Sequence, residues 1–268
     1  MPIQVILVII LTLIINIIGT LAYSVRVVGV KTGRIAIAFS VFNIFALISR
    51  TASTFQAPLL AKNVENSINT GQTESLLSVF RLVLLSATAA SLIGAFLMPT
   101  FIHLFSKAVV SFSYRRSIPR LLIHSFSKAG IEQFKNSITI PKKSNFSELA
   151  NFKKVPKRIV LLNVIAISIS SVGSLASLYA GTLMPSLRST CSTLSSVING
   201  TSSILLFIFI DPYISMLTDD VLQGKCPEKH FTRTIIYIVA GLTVGTVLAQ
   251  ALLVPAAELI VFIARLLP

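Results

Sequence analysis

Charge is what this sequence has least of. Only 12% of its 268 residues are charged, about half the share that a soluble domain carries, so an ordinary water-soluble globule is excluded. Acids are scarcest: nine Asp and Glu stand against 23 Lys and Arg, for a formal net charge of +14. The two cysteines, Cys191 and Cys226, are too few for a disulfide scaffold, and neither belongs to a Cys/His spacing that would hold zinc. No basic stretch precedes the first apolar run and no clear small-residue cleavage site follows it, so that run is expected to be a retained helix. Enzyme signatures are missing too: there is no Walker A loop, no His-Glu-x-x-His and no Gly-x-Ser-x-Gly. The three histidines are scattered, and neither His103 nor His124 has a partner that would make it catalytic. Asp219-Asp220 is a carboxylate pair, but such a pair alone reads as a solvated loop. No catalytic residue, metal site or cofactor is expected.

Hydrocarbon is what fills the sequence. Hydrophobic residues make up 54% of it, and the mean hydropathy is +0.85. Six apolar runs stand out, at roughly 3–23, 35–60, 76–105, 159–184, 194–217 and 234–264. At about 1.5 Å of rise per residue, ~20 helical residues cross the hydrocarbon core of a bilayer. The chain is therefore expected to be an all-α integral membrane protein, one polytopic domain over 1–268 with six transmembrane helices. Spans two, three and six are longer than a crossing requires. Pro58, Pro99 and Pro255 mark where they are expected to tilt or break.

The basic residues are unevenly placed. Twelve of the 23 Lys and Arg fall between Ser106 and Arg158, against Glu132 and Glu148. Such a basic loop between apolar spans marks a cytoplasmic segment near anionic lipid and does not point to nucleic acid. Arg26, Lys31 and Arg34 are assigned to loop one, and Lys225, Lys229 and Arg233 to loop five. Loop two has only Lys62 and loop four only Arg188. The odd-numbered loops are thus expected in the cytoplasm and both termini outside, which puts the two cysteines on opposite sides. Within loop 106–158, Ile118, Leu121, Leu122 and Phe126 share a helical face beside Arg116, Arg120, His124 and Lys128. This pattern predicts an amphipathic helix in the inner interface, followed by a polar connector over 135–157.

The two halves echo each other in order. Ile-Gly-Thr-Leu-Ala at 18–22 recurs as Val-Gly-Ser-Leu-Ala at 172–176. Ser-Val-Phe-Asn at 40–43 recurs as Ser-Val-Ile-Asn at 196–199, and Ala-Phe-Leu-Met-Pro at 95–99 as Ala-Leu-Leu-Val-Pro at 251–255. Three spans per half would insert the halves in opposite senses, a 3+3 inverted repeat of the kind many transporters use. Coincidence is the competing explanation, since membrane sequences draw on few residue types.

Ionisable residues within apolar spans face the bundle interior by default. Arg50 lies near the middle of span two, where it cannot easily reach an interface. It is the first candidate for substrate binding as an anion ligand, with a structural ion pair as the alternative. Thr54 follows on the same helical face and could add a donor. Arg81, in the outer part of span three, is a further substrate-binding candidate, unless it simply pairs with Glu258 at similar depth in span six. Asp211 and Glu258 are taken as structural or coupling charges, and Asp211, preceding Pro212, could merely cap a helix break. Asn16, Asn43, Gln56, Asn163, Asn199 and Gln250 are expected to hydrogen-bond between helices. The Ser/Thr-dense stretch 168–203, with Gly173, Gly181 and Gly200, reads as close helix packing more than as a polar track.

Residues 48–62, Ile-Ser-Arg-Thr-Ala-Ser-Thr-Phe-Gln-Ala-Pro-Leu-Leu-Ala-Lys, together with Leu-Ala-Tyr-Ser-Val-Arg at 21–26 and Phe-Asn-Ile-Phe-Ala-Leu at 42–47, resemble the Amj family. The likeness runs the length of the chain and is most specific in 20–62. It implies an alternative flippase for lipid II, the undecaprenyl-pyrophosphate-linked precursor of peptidoglycan, in the bacterial cytoplasmic membrane. It carries over no site residues. Lipid II and anionic membrane lipids are the partners implied, and a homo-oligomer is compatible with the sequence. The physics agrees with the family. An Arg fork suits a pyrophosphate, and each negative charge moved outward down an inside-negative potential releases about 2.3 kcal/mol per 100 mV, so export needs no ATP site. An inward carrier of undecaprenyl phosphate, an intramembrane lipid-phosphate hydrolase and a non-transporting envelope scaffold are the other readings.

The charge bias generates a topology test. A cysteine placed at position 145 should react with an impermeant reagent only in opened cells, and labelling from outside intact cells would reverse the orientation.

Overall fold

The computed structural model of the chain describes residues 3–71, 73–115 and 155–267. Four long helices, α1 (Ile3–Thr32), α2 (Ile35–Asn69), α3 (Thr73–Arg115) and α4 (Lys157–Leu183), are followed by a broken fifth segment. That segment runs through a 3-10 turn (Pro185–Leu187), α5 (Arg188–Thr193), α6 (Ser195–Leu205), a π-helical turn (Leu206–Ile210) and α7 (Asp211–Leu222). Helix α8 (Glu228–Leu266) closes the fold. Six stretches are long and apolar enough to cross a membrane, and no strand occurs among the described residues.

Several expected boundaries move. Helix α1 continues nine residues past Tyr23, because Val27, Val28 and Gly29 extend its buried face. Arg26 is thereby inside the helix, and the first connection shrinks to Gly33-Arg34, with Gly33 at φ +65° reversing the chain. Helix α3 runs on to Arg115, so the basic segment begins some ten residues later than expected. The expected interfacial helix and most of the polar connector lie outside the described residues. Pro58, Pro99 and Pro255 sit inside unbroken helices. The breaks fall instead in the fifth span. Pro212 has no N–H to donate and its ring crowds the preceding turn, and the π-helical turn directly before Asp211 absorbs the misfit.

The packing has the same plan twice. Helix α1 lies against both α2 and α3, and α4 lies against both the fifth span and α8. Thr20 packs on Gly94, Val8 shares a core cluster with Phe80 and Leu84, and Val25 and Val28 share another with Phe105 and Val109, so α1 and α3 are parallel. The bond from Asn163 Nδ2 to Ile238 O (2.9 Å) and the contact of Arg265 with Met184 do the same for α4 and α8. Between the halves, α3 meets α8 antiparallel, through Ser91–Thr243 (3.2 Å) and Gln250 to the Arg81 carbonyl (2.8 Å). The halves therefore run in opposite senses. Ile3, Ile35 and Thr73 open the helices of the first half; Lys157, Arg188 and Glu228 open their counterparts 154, 153 and 155 residues later.

The core changes character along the bundle. At the end holding the α2–α3 and α4–α5 connections, one cluster joins α1, α2, α3, α4, α5 and α8, with Val8, Leu60, Phe80, Val172, Cys191 and Leu253 among its members. The Arg188–Glu65 ion pair (2.7 Å) ties that end at the surface. Toward the basic end the core splits. Val25, Ala38, Phe42 and Phe105 form one cluster on α1, α2 and α3, around stacked and edge-on Phe42, Phe45, Phe101 and Phe105. Val27, Met98, Ile210, Phe231 and Ile238 form another, on α1, α3, the fifth span and α8.

Small residues set the helix spacing where lipid provides no hydrophobic drive for association. A Cβ on Gly245 would come within 2.9 Å of both Val164 O and Ile167 Cβ, whereas one on Gly200 would meet nothing within 4 Å. Gly245→Leu should thus lower the thermal midpoint of the purified protein, at a destabilisation of about 1–3 kcal/mol typical of overpacking. Gly200→Ala, measured alongside by the same melt, should leave the midpoint within error.

Candidate functional site

The polar groups at membrane depth divide into those the protein satisfies and those it does not. Arg26 and Asp211 belong to the first group. Arg26 Nη2 donates to Asp211 Oδ1 at 3.0 Å, its Nη1 donates to Ser215 Oγ at 2.8 Å, and its guanidinium carbon lies 5.5 Å from the centroid of the Phe39 ring. The Arg26 side chain is 17% exposed and that of Asp211 44%. Arg26 lies six residues before the end of α1, so about 9 Å inside it. The pair joins the first half to the fifth span at the point where the π-helical turn delivers Asp211. Asp211 is thus one arm of a tie between halves as well as the start of α7. The sequence reading missed Arg26 by ending the first span at Tyr23; the apolar Val27-Val28-Gly29-Val30 that follows was the available signal.

Arg50 belongs to the second group. It is exposed on α2, fifteen residues from the helix start and so about 22 Å along it. Among the described residues no ion pair reaches it. Helical spacing puts it with Asn43, Leu47 and Thr54, all exposed, on a face turned away from Gln56, which reaches Thr12 of α1. Arg50 is therefore exposed where a position facing the bundle interior was expected. Thr54 donates its hydroxyl proton to the Arg50 carbonyl at 3.0 Å, so the added donor expected from Thr54 is already committed to backbone.

Arg81 is exposed, eight residues into α3; its backbone carbonyl accepts from Gln250, and among the described residues no ion pair reaches its side chain. The expected pairing with Glu258 does not form. Glu258 instead lines an open surface cavity of about 230 Å³ with Leu183, Val261, Phe262 and Arg265. Four of the six uncharged amides bond across helices: Gln56 to Thr12, Asn163 to Ile238, Asn199 to Ser174 and Gln250 to Arg81. Asn16 bonds within α1, to Thr12 O at 2.9 Å. In the Ser/Thr-dense stretch, Gly173 packs against Asn199 and Ile198, and Gly181 against Arg188. That stretch serves close packing there, as expected, while Gly200 faces open space.

A polar face runs along α1. Thr12, Asn16, Gly19, Tyr23 and Arg26 follow one another at spacings of four, three, four and three, which keeps them on one side of a helix. Toward the end of the bundle held by Arg188 and Glu65 it is closed by Gln56, whose Nε2 donates to Thr12 Oγ1 at 2.6 Å. At the basic end it finishes in the Arg26–Asp211 pair. Between them Asn16 and Tyr23 are half-buried, Gly19 is exposed, and a Cβ on Gly19 would meet no atom within 4 Å. Among the described residues no group of His, Cys, Asp and Glu is arranged to hold a metal ion.

Comparison with known proteins adds a family. The family described as "Amj: Alternate to MurJ" matches residues 11–264. The protein named "Lipid II flippase Amj" of Bacillus subtilis (strain 168) is 32% identical over 269 residues, spanning 98% of this chain and 97% of that protein. No solved structure matches the chain. A match over nearly the whole length, on a six-span helical bundle with charges held at membrane depth, leaves one assignment: the chain belongs to the Amj family.

Proposed function

We propose that this protein is a lipid II flippase, a transporter and not an enzyme, which carries the undecaprenyl-pyrophosphate-linked precursor from the inner to the outer leaflet of the bacterial cytoplasmic membrane. The observation that carries the reading is the full-length likeness to a relative bearing that name. Two oppositely inserted halves support it, because alternating access needs two halves that move against each other. In this reading the basic end, with Lys31, Lys157 and Arg158, faces the cytoplasm, where positive charge concentrates. Both termini then lie outside.

Arg50 is the mid-depth ligand of the pyrophosphate. A guanidinium at the centre of a span costs about 2.5–3.5 kcal/mol on insertion scales unless something compensates it. The described residues offer it no carboxylate. A passing phosphate supplies the missing charge, and the planar fork can hold two of its oxygens. Arg81, exposed nearer the other end of the bundle, is the next cation on the way out. The polyprenyl tail stays in lipid throughout, so only the headgroup has to be desolvated.

In cells depleted of every other lipid II flippase, expression of this chain should restore lipid II to the outer leaflet. Absence of export at normal membrane abundance would remove the function. Arg50→Ala should abolish export without lowering abundance, and Arg50→Lys should restore only part of it, because an ammonium cannot make the two-point contact. Full export by Arg50→Ala would take the ligand role away from this residue.

Native Cys226 tests the orientation. It lies in the α7–α8 connection, where burial, helped by the charge of Asp220, pushes its thiol above the ordinary range. The thiolate is the reactive form, so maleimide labelling should be slow near neutral pH and should accelerate as pH rises. It should occur only with reagent that reaches the cytoplasm, while buried Cys191 stays silent. Labelling of Cys226 by impermeant reagent in intact cells would invert the assignment.

A further inference from the structure

We propose that the polar face of α1 lines the part of the headgroup path nearest the basic end and that Arg26 is its ligand there, with Asp211 holding the guanidinium until a phosphate displaces it. The inference rests on the flippase reading and adds to it a site on a different helix from Arg50.

The geometry of the ion pair carries the argument. Arg26 does not grip Asp211 with both arms of its fork. Nη2 holds one carboxylate oxygen and Nη1 is turned to the Ser215 hydroxyl, one helical turn further along α7. A phosphate can take both arms at once, which a carboxylate held this way does not. The Asp211 side chain is also 44% exposed, so protein does not wall it in when Arg26 lets go. Arg26 keeps its place meanwhile through the Phe39 ring beneath it. The same exchange loosens the tie between α1 and α7, so arrival of the anion frees one half to move against the other.

The rest of the face suits a headgroup of sugars and phosphates. Asn16 spends one N–H on Thr12 O, and its carboxamide oxygen remains to accept. Gly19, between Asn16 and Tyr23, is exposed, with open space where a side chain would stand. The Gln56–Thr12 bond closes the far end of the face, where the core is a single cluster. At the near end the core is split in two, with α1 contributing to both parts.

Binding of undecaprenyl pyrophosphate to the full chain in nanodiscs, with undecaprenol as the uncharged control, tests the assignment. Asp211→Asn removes the competing carboxylate and should tighten binding by roughly tenfold; Arg26→Ala should weaken it by at least as much. Undecaprenol should respond to neither. Gly19→Leu points into open space, so it should keep the wild-type thermal midpoint while blocking lipid II export. Unchanged affinity in Asp211→Asn together with a lowered midpoint would show that the pair is only a structural tie and would overturn the proposal, as would full export by Gly19→Leu. Should Arg26→Ala not fold, the Asp211 and Gly19 variants still decide. Protein that binds the pyrophosphate with this order of variants but exports no lipid II would remove the flippase reading and leave the Arg26 assignment standing. Protein that exports lipid II with affinity indifferent to Asp211 would remove the Arg26 assignment alone.

Discussion

Hydrocarbon offers no hydrogen bonds, and the whole bundle is arranged around that constraint. Backbone groups must be satisfied within each span, so every described crossing is helical. Many serine and threonine hydroxyls follow the same rule by bonding back onto their own helices, as at Thr12 to Val8 O and Thr218 to Ile214 O, while Ser202 donates across to Ala166 O. Where a charge enters the spans, the structure either answers it, as Asp211 answers Arg26, or leaves it exposed, as at Arg50 and Arg81.

Without a hydrophobic drive between helices in lipid, association depends on close fit and on a few polar contacts. Gly94 under Thr20 and Gly245 under Ile167 let α1 meet α3 and α4 meet α8 closely enough for dispersion contacts to add up. The amides then fix register: Asn163 holds α4 to α8, and Gln56 holds α2 to α1. The interface between the two halves is leaner; among the described residues its polar contacts include Ser91–Thr243, Gln250 to the Arg81 carbonyl, Arg26 to Asp211 and Ser215, and Arg188–Glu65. Halves that are firm internally and lightly joined are what a rocking movement between them requires. The fifth span is the exception within its half. Its 3-10 and π-helical turns interrupt the helix, and its second break places Asp211 opposite Arg26.

Much of this was legible in one dimension because its cause is one-dimensional. The length and purity of an apolar run determine whether it crosses a bilayer, so the six spans and the all-helical class could be read directly. The ordered echoes at Gly19 and Gly173 and at Pro99 and Pro255 likewise point to the spacing with which the helices of the two halves begin. The ends of the spans were less legible. Arg26 looks like the end of a helix when the partner that makes it tolerable lies 185 residues away. A proline in a run looks like a break, yet Pro58, Pro99 and Pro255 are carried without one.

Sequence by itself therefore determined the solvent, the number of crossings, the family and the rarity of charge at depth, all of which follow from composition and order along the chain. Tertiary structure alone decided which charges are partnered. It paired Asp211 with Arg26 rather than leaving it a simple cap, and separated Arg81 from Glu258 despite their similar depth. It also turned Arg50 and Thr54 away from α1 and assembled a polar face on α1 whose members, from Thr12 to Arg26, look unremarkable one at a time. The physical reason is that depth can be counted along a helix, whereas direction depends on how each helix is rotated against its neighbours. That rotation is fixed by glycine contacts and amide bonds between segments far apart in the chain.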